Sequence, residues 1–119
     1  MSGNINFNGW INDDGSENYK CRAWVNFNGT GTVAIRASGN VSSITDNGAG
    51  DYTVNFTTAM TDADYSISGT AGLNNTSLKV VVQPYSLTAP TTTAVRIQCP
   101  QSDGNLVGDA PLVSIQIFR

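Results

Sequence analysis

The sequence predicts an all-β protein, an antiparallel β-sandwich of about eight strands with a Greek-key or jelly-roll-like order. Asn, Thr, Ser and Gly make up 49 of the 119 residues, and this composition disfavours helices and favours strands joined by tight turns. Apolar and polar residues alternate over short runs, and no helical periodicity continues beyond a turn or two. Turn signals recur about every 8–12 residues, which is the spacing of small sandwiches and barrels.

The length of the chain is that of one domain. Residues 1–18 carry scattered apolar residues and an acidic turn, and we predict an N-terminal arm or a first short strand there. Residues 19–119 are predicted to form a single sandwich domain.

Two hairpins are predicted in the first half of this domain. In each, alternating runs flank a turn rich in Asn and Gly, residue types that adopt the positive φ of tight turns. The paired runs are residues 21–27 with 32–37, and residues 41–45 with 52–57.

Four further strands are predicted at residues 65–70, 78–83, 94–99 and 112–118. Three consecutive valines at residues 80–82 predict a strand that is covered on both faces. The last run alternates Val113, Ile115 and Ile117 with residues that include Leu112 and Phe118, so it too offers apolar groups to both sides.

Charge and composition argue against several classes of function. Six basic against nine acidic residues provide no surplus for neutralising phosphates, so we expect no nucleic-acid partner. The sequence has no apolar run of about 18 residues and no signal-peptide pattern at its start, so we expect no membrane insertion. The absence of histidine excludes histidine-based catalysis.

No enzyme, cofactor or metal is expected. Glycan cleavage needs two carboxylates held about 5–10 Å apart, whereas Glu17 is the single glutamate and the aspartates fall in predicted turns. Asp62 and Asp64 form an Asp-x-Asp pair that could ligate Ca²⁺, but the rest of a calcium loop is missing. We interpret this pair as a solvated turn.

Cys21 and Cys99 leave two alternatives open. Both lie on predicted strands, so a disulfide between them is possible, and its long loop would stabilise the fold by about 4 kcal/mol. Two buried thiols are the other interpretation, and assembly in a reducing cytosol favours it.

Two segments of the first half are distinctive, CRAWVNFNGTGTVAIR at residues 21–36 and NVSSITDNGAGDYTVNFT at residues 40–57. They resemble a block that recurs near the C-termini of bacteriophage tail fibres and related virion surface proteins of marine and other aquatic phages. The final VSIQIFR, residues 113–119, is similar to the endings of those chains. The close resemblance covers about residues 21–67 and the last seven residues.

The resemblance implies a trimeric, β-rich module of the virion surface, assembled in the host cytoplasm, and it carries no catalytic residue. We expect a tail-fibre tip or receptor-binding domain that adheres to the host surface without enzymatic activity. The alternative is a capsid decoration or fibre-joining protein that binds the virion itself. The expected partners are further copies of the chain, a host surface glycan or protein, and other virion proteins.

A homotrimer is also expected on physical grounds. Valines 80–82 and the C-terminal strand carry apolar side chains on both faces, and one small sandwich buries only one of these faces, so the other would be buried between subunits. We expect Trp24 to be buried, either in the core or at such an interface. Host recognition is expected in the part without resemblance, in loops at residues 72–77, 86–93 and 101–110. The candidate ligand-binding residues are Tyr85, Asn74, Asn75, Asp103 and Asn105.

Overall fold

The computed structural model describes residues 3–6, 9–12, 14–15, 17–18, 20–72, 82–100 and 108–119. No helix occurs among these residues, and therefore none that is long and apolar enough to cross a membrane. The strands are β1 (Gly3–Asn6), β2 (Gly9–Asn12), β3 (Glu17–Asn18), β4 (Cys21–Asn28), β5 (Ala34–Gly39), β6 (Val41–Gly48), β7 (Asp51–Phe56), β8 (Ser66–Gly72), β9 (Gln83–Pro84), β10 (Ala94–Gln98) and β11 (Leu112–Phe118).

Eight of the strands form two four-stranded antiparallel sheets, which confirms the predicted sandwich. Sheet I has the order β5-β4-β11-β8, and sheet II has the order β6-β7-β10-β9. In sheet I the last strand lies between β4 and β8, and in sheet II β10 lies between β7 and β9. Among the described residues, β1, β2 and β3 pair with one another in a separate three-stranded sheet.

The core forms where the alternating apolar residues of the two sheets meet, as period-2 patterning requires. Phe27 of sheet I meets Tyr52 of sheet II edge to face, with ring centroids 5.1 Å apart. A second such pair joins Phe56 and Tyr65 at 5.7 Å. The buried strand residues are Ala23, Val25, Phe27, Val41, Tyr52, Val54, Phe56, Val95, Ile97, Val113, Ile115 and Ile117.

Both predicted hairpins are present, as β4–β5 and β6–β7. Residues 78–81 of the strand predicted at residues 78–83 lie outside the described residues, and Gln83 begins β9. Val82 is partly buried and packs against the core.

Trp24 is not part of the core, contrary to one of the two expectations for it. Its side chain lies on the outer face of sheet I and is 42% exposed. The indole occupies the space beside Gly39 where a Cβ would stand. Burial of Trp24 between subunits stays a prediction.

Cys21 and Cys99 are free thiols, and the topology explains why. Cys21 begins β4, whereas the amide of Cys99 donates to the carbonyl of Gly50. The amide of Gly50 and the hydroxyl of Tyr52 both donate to the carboxylate of Asp109. Gly29, one residue past β4, is bonded to Tyr52, and β4 spans about 23 Å from Cys21 to Asn28 at about 3.3 Å per residue. Cys21 and Cys99 therefore lie near opposite ends of β4, which is too far apart for a disulfide. Burial raises the pKa of the Cys99 thiol to about 11.

Candidate functional site

The outer face of sheet II is polar over all four of its strands. Since Tyr52, Val54, Phe56, Val95 and Ile97 point into the core, the residues between them point outward. We call this surface the polar face. Apart from Ala94, its residues carry polar groups; it comprises Ser43, Thr45, Asn47, Asp51, Thr53, Asn55, Gln83, Tyr85, Ala94, Arg96 and Gln98.

Strand register arranges the polar face in three rows that cross the sheet. One row runs Ser43, Asn55, Ala94; the next runs Thr45, Thr53, Arg96; and the third includes Asp51, Gln98 and Gln83. With strands about 4.8 Å apart and alternate residues about 6.8 Å apart, the rows cover about 14 by 14 Å.

Asparagine amides hold the hydroxyl groups of the polar face in place. Nδ2 of Asn55 donates to Oγ of Ser43 at 3.1 Å and to Oγ1 of Thr45 at 3.0 Å. Nδ2 of Asn47 donates to Oγ1 of Thr53 at 2.8 Å. These bonds fix the hydroxyl oxygens before any ligand arrives, which lowers the entropy cost of binding.

Arg96 is the central charged residue of the polar face. Its Nε and Nη2 donate to the two carboxylate oxygens of Asp51 at 2.9 and 2.7 Å. Its Cζ lies 4.0 Å from the centre of the Tyr85 ring, in a cation–π arrangement. The hydrogen bonds from Arg96 hold the pKa of Asp51 below its usual value, and the carboxylate raises the pKa of Arg96.

Tyr85 is the one sequence-predicted site residue that the structure places on this surface. It is half-buried, and its amide donates to the carbonyl of Arg96 at 2.8 Å. Asn74, Asn75, Asp103 and Asn105 lie outside the described residues.

Sequence reasoning missed Asp51, Thr53 and Arg96 as site residues. Asp51 and Thr53 belong to the block that resembles phage fibres, whereas host recognition is expected in the part without resemblance. The available signal was the set of polar residues that alternates with the apolar ones along each strand. This alternation identifies the solvent-facing side of a sheet but does not show that this side binds a ligand.

No family model, curated protein or solved structure matches this chain. The polar face is therefore interpreted from its own chemistry. Its hydroxyl and amide groups can both donate and accept hydrogen bonds, and Tyr85 adds an aromatic surface. This set of groups is suited to binding a polar, uncharged ligand.

The described residues contain no group of three or more Cys, Asp or Glu that could hold a metal ion. Asp62, considered above as a calcium ligand, instead binds Arg119. Nε and Nη2 of Arg119 donate to its two oxygens at 2.9 and 2.8 Å. The amide of Asp64 donates to the same carboxylate at 2.9 Å, so the Asp-x-Asp pair forms a capped turn.

The Asp62–Arg119 pair predicts a pH dependence of stability. These hydrogen bonds lower the pKa of Asp62 from 3.8 to about 2. A carboxyl whose pKa is lower in the folded state stabilises the fold above its unfolded value, so this stabilisation is complete above about pH 4 and is lost as the pH falls through 2. We expect Asp62→Asn to reduce the fall in Tm between pH 4 and pH 2, measured by circular dichroism. Asp64→Asn should keep the wild-type slope, and equal slopes for both variants would contradict the assignment.

Proposed function

We propose that this chain is a non-enzymatic binding module of a bacteriophage virion surface, a tail-fibre tip or receptor-binding domain. In this proposal the polar face contacts glycans or proteins of the host surface. The observation that carries the proposal is the ordered, charge-balanced array around Tyr85, Arg96 and Asp51. The resemblance of about residues 21–67 and of the last seven residues to phage fibre proteins supports the virion location.

A rigid sheet gives such a surface two advantages. Its side chains are held by the hydrogen-bonded strands and by one another, so they lose little conformational entropy when a ligand binds. Individual contacts of this kind are weak, and three copies in a homotrimer would raise the avidity through effective concentration.

A second candidate, a capsid decoration or fibre-joining protein, is favoured by the outer face of sheet I. Trp24, Leu112 and Phe118 are each more than two-fifths exposed there. Exposed aromatic and aliphatic groups are typical of protein interfaces. The same face could join copies of this chain, and a trimer would then have a mass near three times the 12.5 kDa chain by light scattering.

The two candidates are separated by a matched pair of variants. Thr53 and Ser114 are outward residues of central strands in sheets II and I, and each accepts one side-chain amide hydrogen bond. We expect fluorescent wild-type protein to bind cells in a panel of aquatic bacteria. Thr53→Leu should lose at least about ten-fold in affinity, and Ser114→Leu should bind as wild type.

A different pattern would favour the alternative. Binding to virions that lack the protein, reduced by Ser114→Leu and unchanged by Thr53→Leu, would indicate a decoration or joining role. Binding to neither cells nor virions would contradict both candidates. Circular dichroism and light scattering of each variant control for loss of fold or assembly.

A further inference from the structure

The charged groups of the polar face cancel one another. Asp51 and Arg96 are its two charged side chains, and they are joined by two hydrogen bonds of 2.9 and 2.7 Å. Arg96 is also held against the Tyr85 ring. A negatively charged ligand would have to displace Asp51 from the guanidinium or lie beside its carboxylate, and both cost free energy. The face therefore has no charge selectivity for anions.

The remaining groups offer donors and acceptors side by side. Ser43, Thr45 and Thr53 each accept a bond from an asparagine amide, so each hydroxyl keeps its own hydrogen to donate. No described residue donates to Oδ1 of Asn47 or of Asn55, and these oxygens remain acceptors.

The third row repeats this pattern. Nε2 of Gln83 donates to Oε1 of Gln98 at 2.9 Å. Gln98 keeps its amide hydrogens and Gln83 keeps its carbonyl oxygen, so a ligand meets a donor and an acceptor on neighbouring strands.

From these features we infer that the polar face binds a neutral glycan, a chain of uncharged sugar rings lying across the strands of sheet II. Sugar hydroxyls both donate and accept, as this array requires of its ligand. Tyr85 is half-buried beside Arg96 at the end of the middle row. Arg96 lies over one face of its ring, so a sugar ring would place its apolar C–H groups against the opposite face. The inference rests on the proposed adhesive function and specifies its ligand.

A glycan array tests the inference. The probes are immobilised neutral oligosaccharides of hexoses and N-acetylhexosamines, with sulfated, sialylated and uronic-acid-containing oligosaccharides beside them. We expect binding to neutral probes that changes less than about two-fold between 50 and 500 mM NaCl, because no ion pair is formed. Thr53→Leu should weaken it at least about ten-fold. Ser114→Leu, compared at the same assembly state by light scattering, should leave it unchanged.

A second variant makes the charge argument testable in the opposite direction. Asp51→Asn removes the carboxylate that neutralises Arg96 and keeps a side chain of the same shape. We expect binding of the sulfated and uronic-acid probes to rise at least about five-fold relative to the neutral probes, and this binding to weaken with salt. An unchanged ratio would contradict the charge argument.

The outcomes separate this inference from the proposed function. Selective binding of acidic probes by the wild type would overturn the neutral class and leave adhesion standing. Binding to cells, lost with Thr53→Leu, without binding to any probe would overturn a glycan ligand and indicate a protein receptor. Absence of binding to both cells and glycans would overturn the adhesive function itself.

Discussion

Gly29→Ala is expected to destabilise the protein by more than about 3 kcal/mol, because the new methyl group would overlap a buried ring. A Cβ at Gly29 would overlap Oη of Tyr52, and would lie 2.7 Å from Cζ of that ring and 2.9 Å from the carbonyl oxygen of Ala110. Tyr52 is fully buried. Its hydroxyl is held at 2.9 Å from both the Gly29 carbonyl and the Asp109 carboxylate, so neither side can yield.

A matched glycine lies in the same turn. Gly31 has a φ of 57° and open space where its Cβ would stand, so Gly31→Ala should cost only the left-handed backbone penalty of about 1 kcal/mol. Urea unfolding followed by circular dichroism measures both. Equal losses for the two variants would show that turn conformation, and not the contact with Tyr52, explains the effect.

A double-mutant cycle isolates that contact further. Tyr52→Phe removes Oη, the atom nearest to the new methyl group, and by itself should cost about 1–3 kcal/mol through lost hydrogen bonds. In the Tyr52→Phe background, Gly29→Ala should cost at least about 1 kcal/mol less than in wild type. Additive losses would contradict a direct overlap.

The fold was predictable because its signals are local. Alternation over residues 21–27 and 52–57 identified two central strands, and the Asn- and Gly-rich segments between runs identified the hairpin turns. The pairing of β11 between β4 and β8 was not predictable. It joins residues far apart in sequence, and period-2 patterning gives the face of a strand but not its neighbours.

The candidate site was also predictable only where its signal lies within one strand, and not where it depends on how the strands pair. The sequence makes Tyr85 a candidate as an aromatic residue outside an obvious core register, in the part without resemblance. Its contact with Arg96 and the Arg96–Asp51 pair depend on which strands are adjacent. Trp24 does not lie in the core, because alternation along β4 places its side chain on the opposite face from those of Ala23 and Val25. Four candidate residues, Asn74, Asn75, Asp103 and Asn105, stay predictions.

Asn40→Asp is expected to cost about 2 kcal/mol, because the crossing between the two sheets depends on one amide group. Asn40 joins β5 to β6, and its Nδ2 donates to the carbonyls of Arg22 and Thr58, both at 3.1 Å. Its Oδ1 accepts from the amide of Thr58 at 2.7 Å. Aspartate at position 40 keeps Oδ1 as an acceptor for the amide of Thr58. It loses both N–H donors, and its negative charge faces the carbonyl oxygens of Arg22 and Thr58.

Three further variants separate the effect of charge from the effect of backbone conformation. Asn26→Asp adds the same charge on an outward position of β4, where Oδ1 accepts from Arg36 at 3.3 Å, and it should leave stability unchanged or slightly raised.

Asn40 has a φ of 56°, so Asn40→Gly should lose only the side-chain bonds, and Asn40→Ala should cost about 1 kcal/mol more than Asn40→Gly. Urea unfolding of the four variants measures the series. If Asn40→Asp and Asn26→Asp are equally stable, the amide of Asn40 does not hold the sheets together at this crossing.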